Sequence, residues 1–280
     1  MRDSIVIGGG PAGLSAAINL RNRGKDVLLI SSAPEYSGLW KAPLVDNYPG
    51  VPGISGKELL EKMIHHAQTM GVDIVKKRVL SVMPASDKYF VSFDNEVTGT
   101  KTIIIACGAV PIGKLEGETE LLGKGVSYCA TCDGMLYRGK KVVVTGDSPE
   151  ALKEAEYLAE IGCKVYFVGN KKVDVDNKVE YIRASKLKII GDKTVYGIQA
   201  DGETIDVEGV FIIRKSVAPG DFMPGLEMDG GYITVDRNLK TNLTGVWAAG
   251  DCVGKPLQIA KAVGEGQIAA LNAADYLESI

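Results

Sequence analysis

The sequence predicts an α/β protein built from two doubly wound, Rossmann-like domains, the second inserted in the first. The chain opens on an apolar strand, a glycine turn, an alanine-rich helix and a second strand, "SIVIGGGPAGLSAAINLRNRGKDVLLIS". The same outline returns at residues 140–168, "KKVVVTGDSPEALKEAEYLAEIGCKVYFV". Each stretch is typical of the start of a parallel βαβ unit, so the chain carries two such units.

Segments that follow these starts indicate how the chain is divided. "RVLSV", "YFVSF" and "KTIIIACG" are suited to completing the first sheet. After residue 216, "GYITVD", "GVWAAGD" and the helical pattern "LQIAKAVGEGQIAALNAADYL" indicate a return to the first domain. We therefore expect a first domain of residues 1–111 and 217–280 and an inserted domain of residues 112–216.

Composition restricts the class of protein. Hydrophobic residues make up 45% and charged residues 24% of the chain, as in ordinary globular proteins. The net charge of −3 gives no sign of binding to nucleic acid or to an anionic membrane. The N-terminus enters a strand pattern at once, so we expect no signal peptide. No apolar run approaches the ~20 residues that span a bilayer. We expect a cytoplasmic protein that binds neither nucleic acid nor membrane.

The first glycine turn has the spacing of a dinucleotide-binding loop. Gly8, Gly10 and Gly13 form G-x-G-x-x-G between a strand and a helix. In this pattern the first glycine permits the turn, the second lets a pyrophosphate approach the backbone, and the third lets the helix pack on the strand. The helix start then offers N–H groups to the anion. The second strand runs into Ser31, with Glu35 slightly beyond, instead of ending in the acidic residue that often binds the ribose.

A second motif favours FAD as the dinucleotide. "GVWAAGDC", residues 245–252, places Asp251 between a strand end and a helix start, where a carboxylate can accept hydrogen bonds from a polyol such as the ribityl chain. A capping aspartate at a strand end is the alternative interpretation. Together with the glycine loop, the motif predicts a domain of the FAD/NAD(P)-binding type that holds FAD.

Cysteine spacing predicts a redox-active dithiol. Of five cysteines, only Cys129 and Cys132 form a close pair, in "SYCATCDG". Two intervening residues let the sulfurs form a disulfide within one turn of chain, and Asp133 can exchange a proton as a thiolate forms. A zinc site is the alternative, but it needs three or four ligands, and the other cysteines are isolated. His65 and His66 lie together in a helical pattern, so we expect no metal.

These motifs together resemble the low-molecular-weight thioredoxin reductases. The resemblance covers nearly the whole chain and rests on "GGGPAGLSAA", "DNYPG", "IIIACGA", "GVSYCATCDG", "GYITVD" and "GVWAAGD". It implies a homodimeric FAD enzyme in which Cys132 faces the flavin and accepts its electrons, Cys129 attacks the disulfide of thioredoxin, and Asp133 is the acid/base. The FAD site implied by the resemblance comprises Gly8, Gly10, Pro11, Ala12, Gly13, Ser31, Gly38, Leu39, Trp40, Asn47, Val79, Gly108, Gly250, Asp251, Gln258 and Ile259.

Several positions depart from the family pattern. "ACG" at residues 106–108 stands where Ala-Thr-Gly is usual, and Trp40 and Leu257 stand where a smaller apolar residue and an arginine are usual. Trp40 either stacks near the flavin or is a core tryptophan. The largest departure is the second glycine turn, where NADPH-dependent members read Gly-x-Gly-x-x-Ala and this chain reads "GDSPEA" at residues 146–151. No paired arginines follow the second strand to bind a 2′-phosphate; Lys171 and Lys172 could still contact one, although two such lysines more often form a solvated turn.

The second turn also disfavours an anion electrostatically. Asp147 and Glu150 would each place a carboxylate near the pyrophosphate, a repulsion of about 4 kcal/mol at ~4 Å and an effective dielectric of 20, and less when solvent screens it. Ser148, Pro149 and Glu150 are suited to capping the helix without a ligand. We therefore expect NADPH binding to be lost.

Without NADPH the flavin needs another reductant. The pattern resembles the ferredoxin-dependent flavin thioredoxin reductases, which implies reduced ferredoxin as donor and thioredoxin as acceptor. Three alternatives stay open: an NADPH-dependent reductase with a degenerate loop, a diflavin-linked disulfide oxidoreductase, and a non-catalytic redox sensor. Charge does not locate a ferredoxin surface, because the inserted domain has 16 basic and 17 acidic residues and the remainder has 16 and 18.

Overall fold

The computed structural model describes residues 1–94, 96–108, 114–146, 149–171, 173–214 and 218–280. The chain divides into two compact units, residues 1–111 with 216–280 and residues 112–215. We call them the outer unit and the inserted unit. The boundaries expected from sequence differ from this division at residue 216, which lies outside the described residues.

The elements follow in chain order. The first part of the outer unit holds β1 (Arg2–Ile7), α1 (Pro11–Asn22), β2 (Val27–Ser31), α2 (Gly56–Thr69), β3 (Asp73–Lys76), β4 (Val79–Ala85), β5 (Lys88–Phe93) and β6 (Glu96–Ile105). The inserted unit holds α3 (Glu118–Leu121), β7 (Val126–Ser127), α4 (Ala130–Asp133), β8 (Lys141–Gly146), α5 (Pro149–Glu160), β9 (Lys164–Gly169), β10 (Val179–Arg183), β11 (Leu187–Gly191), β12 (Val195–Ala200), β13 (Glu203–Asp206) and β14 (Gly209–Ile213). The outer unit resumes with α6 (Pro219–Phe222), β15 (Met228–Asp229), β16 (Tyr232–Ile233), β17 (Val246–Ala248) and α7 (Ile259–Ser279).

The outer unit is built on one large sheet with strand order β3-β2-β1-β6-β5-β4, and β17 also pairs with β6. Strands β1, β2, β3, β6 and β17 are parallel, whereas β4 and β5 extend the sheet in antiparallel fashion. Residues 27–30 of β2 are all buried, as expected of a parallel strand covered on both faces. The strand order reverses beside β1, and doubly wound sheets bind ligands outside the carboxyl ends of the strands at such a point.

Small residues let α1 and α7 pack closely against each other in the outer unit. A Cβ at Gly266 of α7 would lie 2.1 Å from the backbone oxygen of Ala12. Alanines at the contact are fully buried, including Ala16 of α1 and Ala270 and Ala273 of α7. The close approach fixes the first turn of α1, and with it the glycine loop that precedes α1.

The inserted unit contains a parallel sheet with strand order β10-β9-β8-β14-β7 and a separate antiparallel sheet, β11-β12-β13. Helix α5 follows β8 and is amphipathic, with Ala151, Ala155 and Leu158 buried and Lys153 and Glu156 exposed. Both predicted starts therefore fold as strand, helix and parallel strand, and the α/β prediction is confirmed. Among the described residues no helix is long and apolar enough to cross a bilayer.

Candidate functional site

The three glycines of the first loop have different surroundings. A Cβ at Gly8, whose φ is +117°, would lie 2.2 Å from the backbone oxygen of Ala106, and a Cβ at Gly13 would lie 1.8 Å from the oxygen of Gly8. Both positions need glycine for the fold alone. A Cβ at Gly10 would instead meet no atom of the described residues within 4 Å. Packing among the described residues therefore does not require glycine at position 10.

The start of α1 is suited to an anion. Gly10 is its N-cap and Pro11 its first residue, and in this fully described turn there is neither a side-chain cap nor an acidic residue. Backbone N–H groups at an uncapped helix start are unsatisfied within the helix and carry the positive end of the dipole. The open space at Gly10 and the uncapped helix together fit a dinucleotide pyrophosphate.

The strand end that carries Asp251 meets this loop. Gly250, with φ +88°, approaches α1 so closely that a Cβ there would lie 2.7 Å from Cβ of Ala12. The backbone of Gly250 is held from both sides, because its N–H donates to Glu265 at 2.9 Å and its oxygen accepts from Nζ of Lys261 at 2.9 Å. Burial raises the pKa of Asp251, Lys261 lowers it and Glu265 raises it further, with a net upward shift. Asp251 is thus a half-buried carboxylate beside the glycine loop.

Two further residues of the expected FAD site contact each other although 211 positions separate them. Nδ2 of Asn47 donates to Oε1 of Gln258 at 2.9 Å, and Gln258 is the N-cap of α7. Ile259 follows and packs against the small core cluster of Val45 and Ile54. The loop before α2 and the start of α7 are therefore joined in the outer unit.

The other expected FAD residues are distributed around the same sheet edge or in the core. The hydroxyl of Ser31 accepts the N–H of Gly9 at 3.0 Å and so supports the glycine loop from the end of β2. Trp40 packs against the main core and has Nζ of Lys57 5.1 Å from its ring centroid. The remaining members are an exposed Gly38, a half-buried Leu39, a buried Val79 at the start of β4, and Gly108 with φ +78° just after β6.

A pair of thiols in the outer unit was not predicted. Sequence spacing treats Cys107 and Cys252 as isolated, but β17 pairs with β6 and brings the two residues together at the strand ends. The neighbouring Cys252 side chain, together with burial, raises the pKa of the Cys107 thiol well above its ordinary value. Cys107 lies in "ACG" and Cys252 in "GDC". The cysteine that departs from the family pattern at position 107 therefore lies near a second cysteine in the other motif.

The inserted unit holds the predicted dithiol as a disulfide. Cys129 and Cys132 are bonded with their Cα atoms 5.4 Å apart. Cys129 is the N-cap of the short helix α4, and its sulfur accepts the N–H of Cys132 at 3.2 Å. Cys129 is 7% exposed, whereas Cys132 lies at the surface. The backbone N–H of Cys132 is thus directed at the sulfur of Cys129.

Ser127 connects the first cysteine to Asp133. Its buried hydroxyl accepts the N–H of Cys129 at 3.1 Å and donates to Oδ2 of Asp133 at 2.6 Å. A hydroxyl has one proton to donate, so the short contact to the carboxylate uses it. Asp133 is therefore oriented by a side chain that sequence reasoning did not single out, although it lies in "SYCATCDG".

A buried ion pair lies beside the dithiol. Glu118, whose side chain is 0% exposed, accepts from Nη1 and Nη2 of Arg214 at 2.5 and 2.7 Å, from the Tyr128 hydroxyl at 2.8 Å and from the Leu115 N–H at 2.7 Å. Burial raises the pKa of Glu118, but the hydrogen bonds and the charge of Arg214 outweigh it, so the net shift is downward. Because 96 positions separate Glu118 from Arg214, no sequence pattern indicated the pair.

The second glycine turn is described only in part. The expected loss of NADPH binding depends on three residues that lie outside the described ones: Asp147, Ser148 and Lys172. Gly146 is required by packing, since a Cβ there would lie 2.0 Å from the backbone oxygen of Ile213. Glu150 lies in the first turn of α5 and is exposed.

The end of β9, where a nucleotide ribose would approach, is tied to the next strand. The hydroxyl of Tyr181 contacts the backbone oxygens of Gly169 and Lys171 at 2.9 and 2.8 Å. Lys171 itself is exposed. No group of three or more His, Cys, Asp or Glu side chains within the described residues could hold a metal ion, and His65 and His66 are exposed on α2.

Comparison with known proteins bears on the whole chain. Residues 2–266 match the family profile of pyridine nucleotide-disulphide oxidoreductases. Two crystal structures of a ferredoxin-flavin thioredoxin reductase from Clostridium acetobutylicum are similar: one is 43% identical with a TM-score of 0.91, covering 99% of this chain and 98% of that one, and the other is 40% identical with a TM-score of 0.89, covering 100% and 99%. A thioredoxin reductase from Aquifex aeolicus is 37% identical over 273 residues, or 89% of this chain and 84% of the relative.

Proposed function

The chain belongs to the pyridine nucleotide-disulphide oxidoreductase family, as a thioredoxin reductase flavoprotein with a Cys129–Cys132 disulfide, and we propose that reduced ferredoxin is its electron donor. In this proposal the outer unit holds FAD, the inserted unit carries the dithiol on a nucleotide-type fold that no longer binds NADPH, and thioredoxin is the acceptor. The likeness to the two ferredoxin-flavin thioredoxin reductase structures supports the proposal over the full chain length.

The observation that carries the proposal is the contrast between the two glycine turns. In the first turn, Gly8 and Gly13 satisfy the fold and Gly10 leaves space open. In the second, Gly146 has the same packing requirement as Gly8, and Ala151 is fully buried at the third position. The position that corresponds to Gly10 is residue 148, a serine. The positions that packing restricts to small residues thus keep glycine or alanine, and the position that we assign to ligand binding has been replaced by serine.

We assign the FAD site to the residues that meet at the carboxyl ends of β1, β6 and β17. Gly10, Pro11 and the first N–H groups of α1 would hold the pyrophosphate, Asp251 would accept hydrogen bonds from the ribityl hydroxyls, and the joined Asn47 and Gln258 would border the cofactor. When bound, FAD would accept electrons one at a time from the donor and pass two together to a disulfide.

The chemistry of the dithiol follows from its contacts. Two electrons and two protons convert the Cys129–Cys132 disulfide into two thiols. In the proposed order Cys132 receives the electrons, and Cys129 then attacks one sulfur of the thioredoxin disulfide to form a mixed disulfide, which Cys132 resolves to release thioredoxin as a dithiol. The N–H of Cys132 would stabilise the Cys129 thiolate. Because Ser127 engages Oδ2 of Asp133, we assign the exchanged proton to Oδ1 of that carboxylate.

The proposal is tested by turnover of thioredoxin with two donors. The FAD-loaded enzyme is mixed anaerobically with oxidised thioredoxin and either reduced ferredoxin or NADPH, and thioredoxin thiols are counted over time. We expect turnover with ferredoxin and none above background with NADPH. Equal or faster turnover with NADPH would contradict the proposal and favour a degenerate but functional loop. Sedimentation equilibrium at twice the chain mass would support the homodimer that we also propose.

A further inference from the structure

Helix α5 supports the dithiol turn at both of its ends. At the start of the turn, the backbone N–H of Ala130 donates to Oε2 of Glu154 at 2.6 Å. At its end, a Cβ at Gly134 would be 2.8 Å from Cδ2 of Leu158 in α5 and 3.1 Å from Cδ1 of Ile161, the residue that follows α5. Ala130 is fully buried between these supports. The position of the Cys129–Cys132 turn is therefore set by α5.

The contact with Glu154 has an electrostatic consequence as well as a geometric one. The N–H that it accepts belongs to the peptide bond between Cys129 and Ala130, so a carboxylate lies next to the first cysteine. A neighbouring negative charge raises the free energy of a thiolate, but it has no corresponding charge to repel in the disulfide. The carboxylate therefore destabilises the reduced, ionised form of the couple relative to the oxidised form.

We propose that Glu154 is the positioning residue of the dithiol: its carboxylate fixes the start of the turn on α5, and its charge makes the Cys129–Cys132 couple more strongly reducing. A more reducing couple passes its electrons to the thioredoxin disulfide more completely. The inference rests on the proposed function only in taking this disulfide as the electron carrier, and the identity of the donor does not enter. In this inference α5 positions the dithiol turn, a role that does not depend on nucleotide binding.

The inference is tested by equilibrating the couple with dithiothreitol. Two electrons and two protons pass from the dithiothreitol thiols to the Cys129–Cys132 disulfide, which opens as the reagent closes to its cyclic disulfide. The full-length FAD protein is equilibrated anaerobically in buffers of varied thiol-to-disulfide ratio at pH 8.5. Free cysteines are then blocked, and the peptide that holds both residues is quantified by mass spectrometry.

Three variants separate charge from position. Glu154→Gln keeps an oxygen that can accept the Ala130 N–H but removes the charge, Glu154→Leu removes both, and Glu156→Gln removes a charge from the exposed face of the same helix. We expect Glu154→Gln to shift the equilibrium about tenfold toward the dithiol, the effect of one pKa unit, which corresponds to about 30 mV for a two-electron couple. Glu156→Gln should stay within twofold of the wild type.

Position is read from a single turnover, in which dithionite-reduced protein is mixed with oxidised thioredoxin. Glu154→Leu should slow this step at least tenfold, while Glu154→Gln retains most of the rate. A Glu154→Gln equilibrium within twofold of the wild type would overturn the electrostatic part, and a wild-type rate for Glu154→Leu would overturn the positioning part. Neither measurement uses ferredoxin or NADPH, so a wrong donor assignment would leave both results unchanged.

Discussion

Replacing Glu118 by alanine should destabilise the inserted unit strongly. The side chain is completely buried and forms four hydrogen bonds, two of them to the guanidinium of Arg214, whose own side chain is 28% exposed. Removing one partner of a buried pair typically costs about 3–5 kcal/mol, and the partial exposure of Arg214 places the expectation near the lower end, at about 3 kcal/mol. At ~1.4 kcal/mol per factor of ten, this is roughly a hundredfold increase in the population of the open unit.

The assay must report on the inserted unit alone. Both tryptophans, Trp40 and Trp247, belong to the outer unit, so their fluorescence does not report unfolding of the inserted unit. Hydrogen exchange measured by mass spectrometry reports it directly, on peptides that cover β8 and β14. Glu116→Ala is a matched control two positions away, because Glu116 pairs with Lys188 at 2.5 Å with both side chains well exposed and should contribute only about 0–1 kcal/mol. Equal exchange rates in the two variants would show that the buried contacts of Glu118 do not stabilise the inserted unit.

Three further predictions concern the cofactor loop, pH and the dithiol. Gly10→Ala should lower the flavin-to-protein ratio after purification but leave the melting temperature of the flavin-free protein nearly unchanged. Gly8→Ala should lower both the flavin-to-protein ratio and the melting temperature. A normal flavin content in Gly10→Ala would argue against the assigned site. The pKa of Glu118 in the folded state lies below its unfolded value of about 4.3. The ionised carboxylate should therefore stabilise the inserted unit above that pH, and this stabilisation should be lost as the pH falls through the folded-state pKa. Glu118→Gln should reduce the loss in the same exchange experiment. Cys132→Ser should accumulate a mixed disulfide between Cys129 and thioredoxin, and trapping through Cys132 in Cys129→Ser alone would reverse the assigned order.

Features carried by local sequence patterns could be predicted. The alternation of apolar strand, turn and amphipathic helix defined the two βαβ starts because each is decided by contacts within about thirty residues. Three site features were also recognisable in the sequence, because each combines a short spacing with a characteristic side-chain chemistry: the first glycine loop, the CxxC pair and Asp251 at a strand end. In the structure α1, α5 and α7 lie where these patterns place them.

Contacts between distant segments could not be predicted in this way. Glu118 and Arg214 sit 96 positions apart, and Cys107 meets Cys252 only because β17 pairs with β6. Whether a glycine is required by packing or leaves space for a ligand also depends on neighbours remote in sequence, as the difference between Gly8 and Gly10 shows. Such information appears only when the sheet order and the helix packing are known.

In the proposed function electrons reach the dithiol from ferredoxin and not from NADPH, and flavin absorbance under anaerobic conditions distinguishes the two donors. The FAD-loaded protein is mixed in a stopped-flow instrument with micromolar NADPH and, separately, with reduced ferredoxin, and the oxidised flavin band is followed. We predict rapid bleaching with ferredoxin and an unchanged band with NADPH. Rapid bleaching by micromolar NADPH would instead identify NADPH as a donor and overturn the ferredoxin assignment.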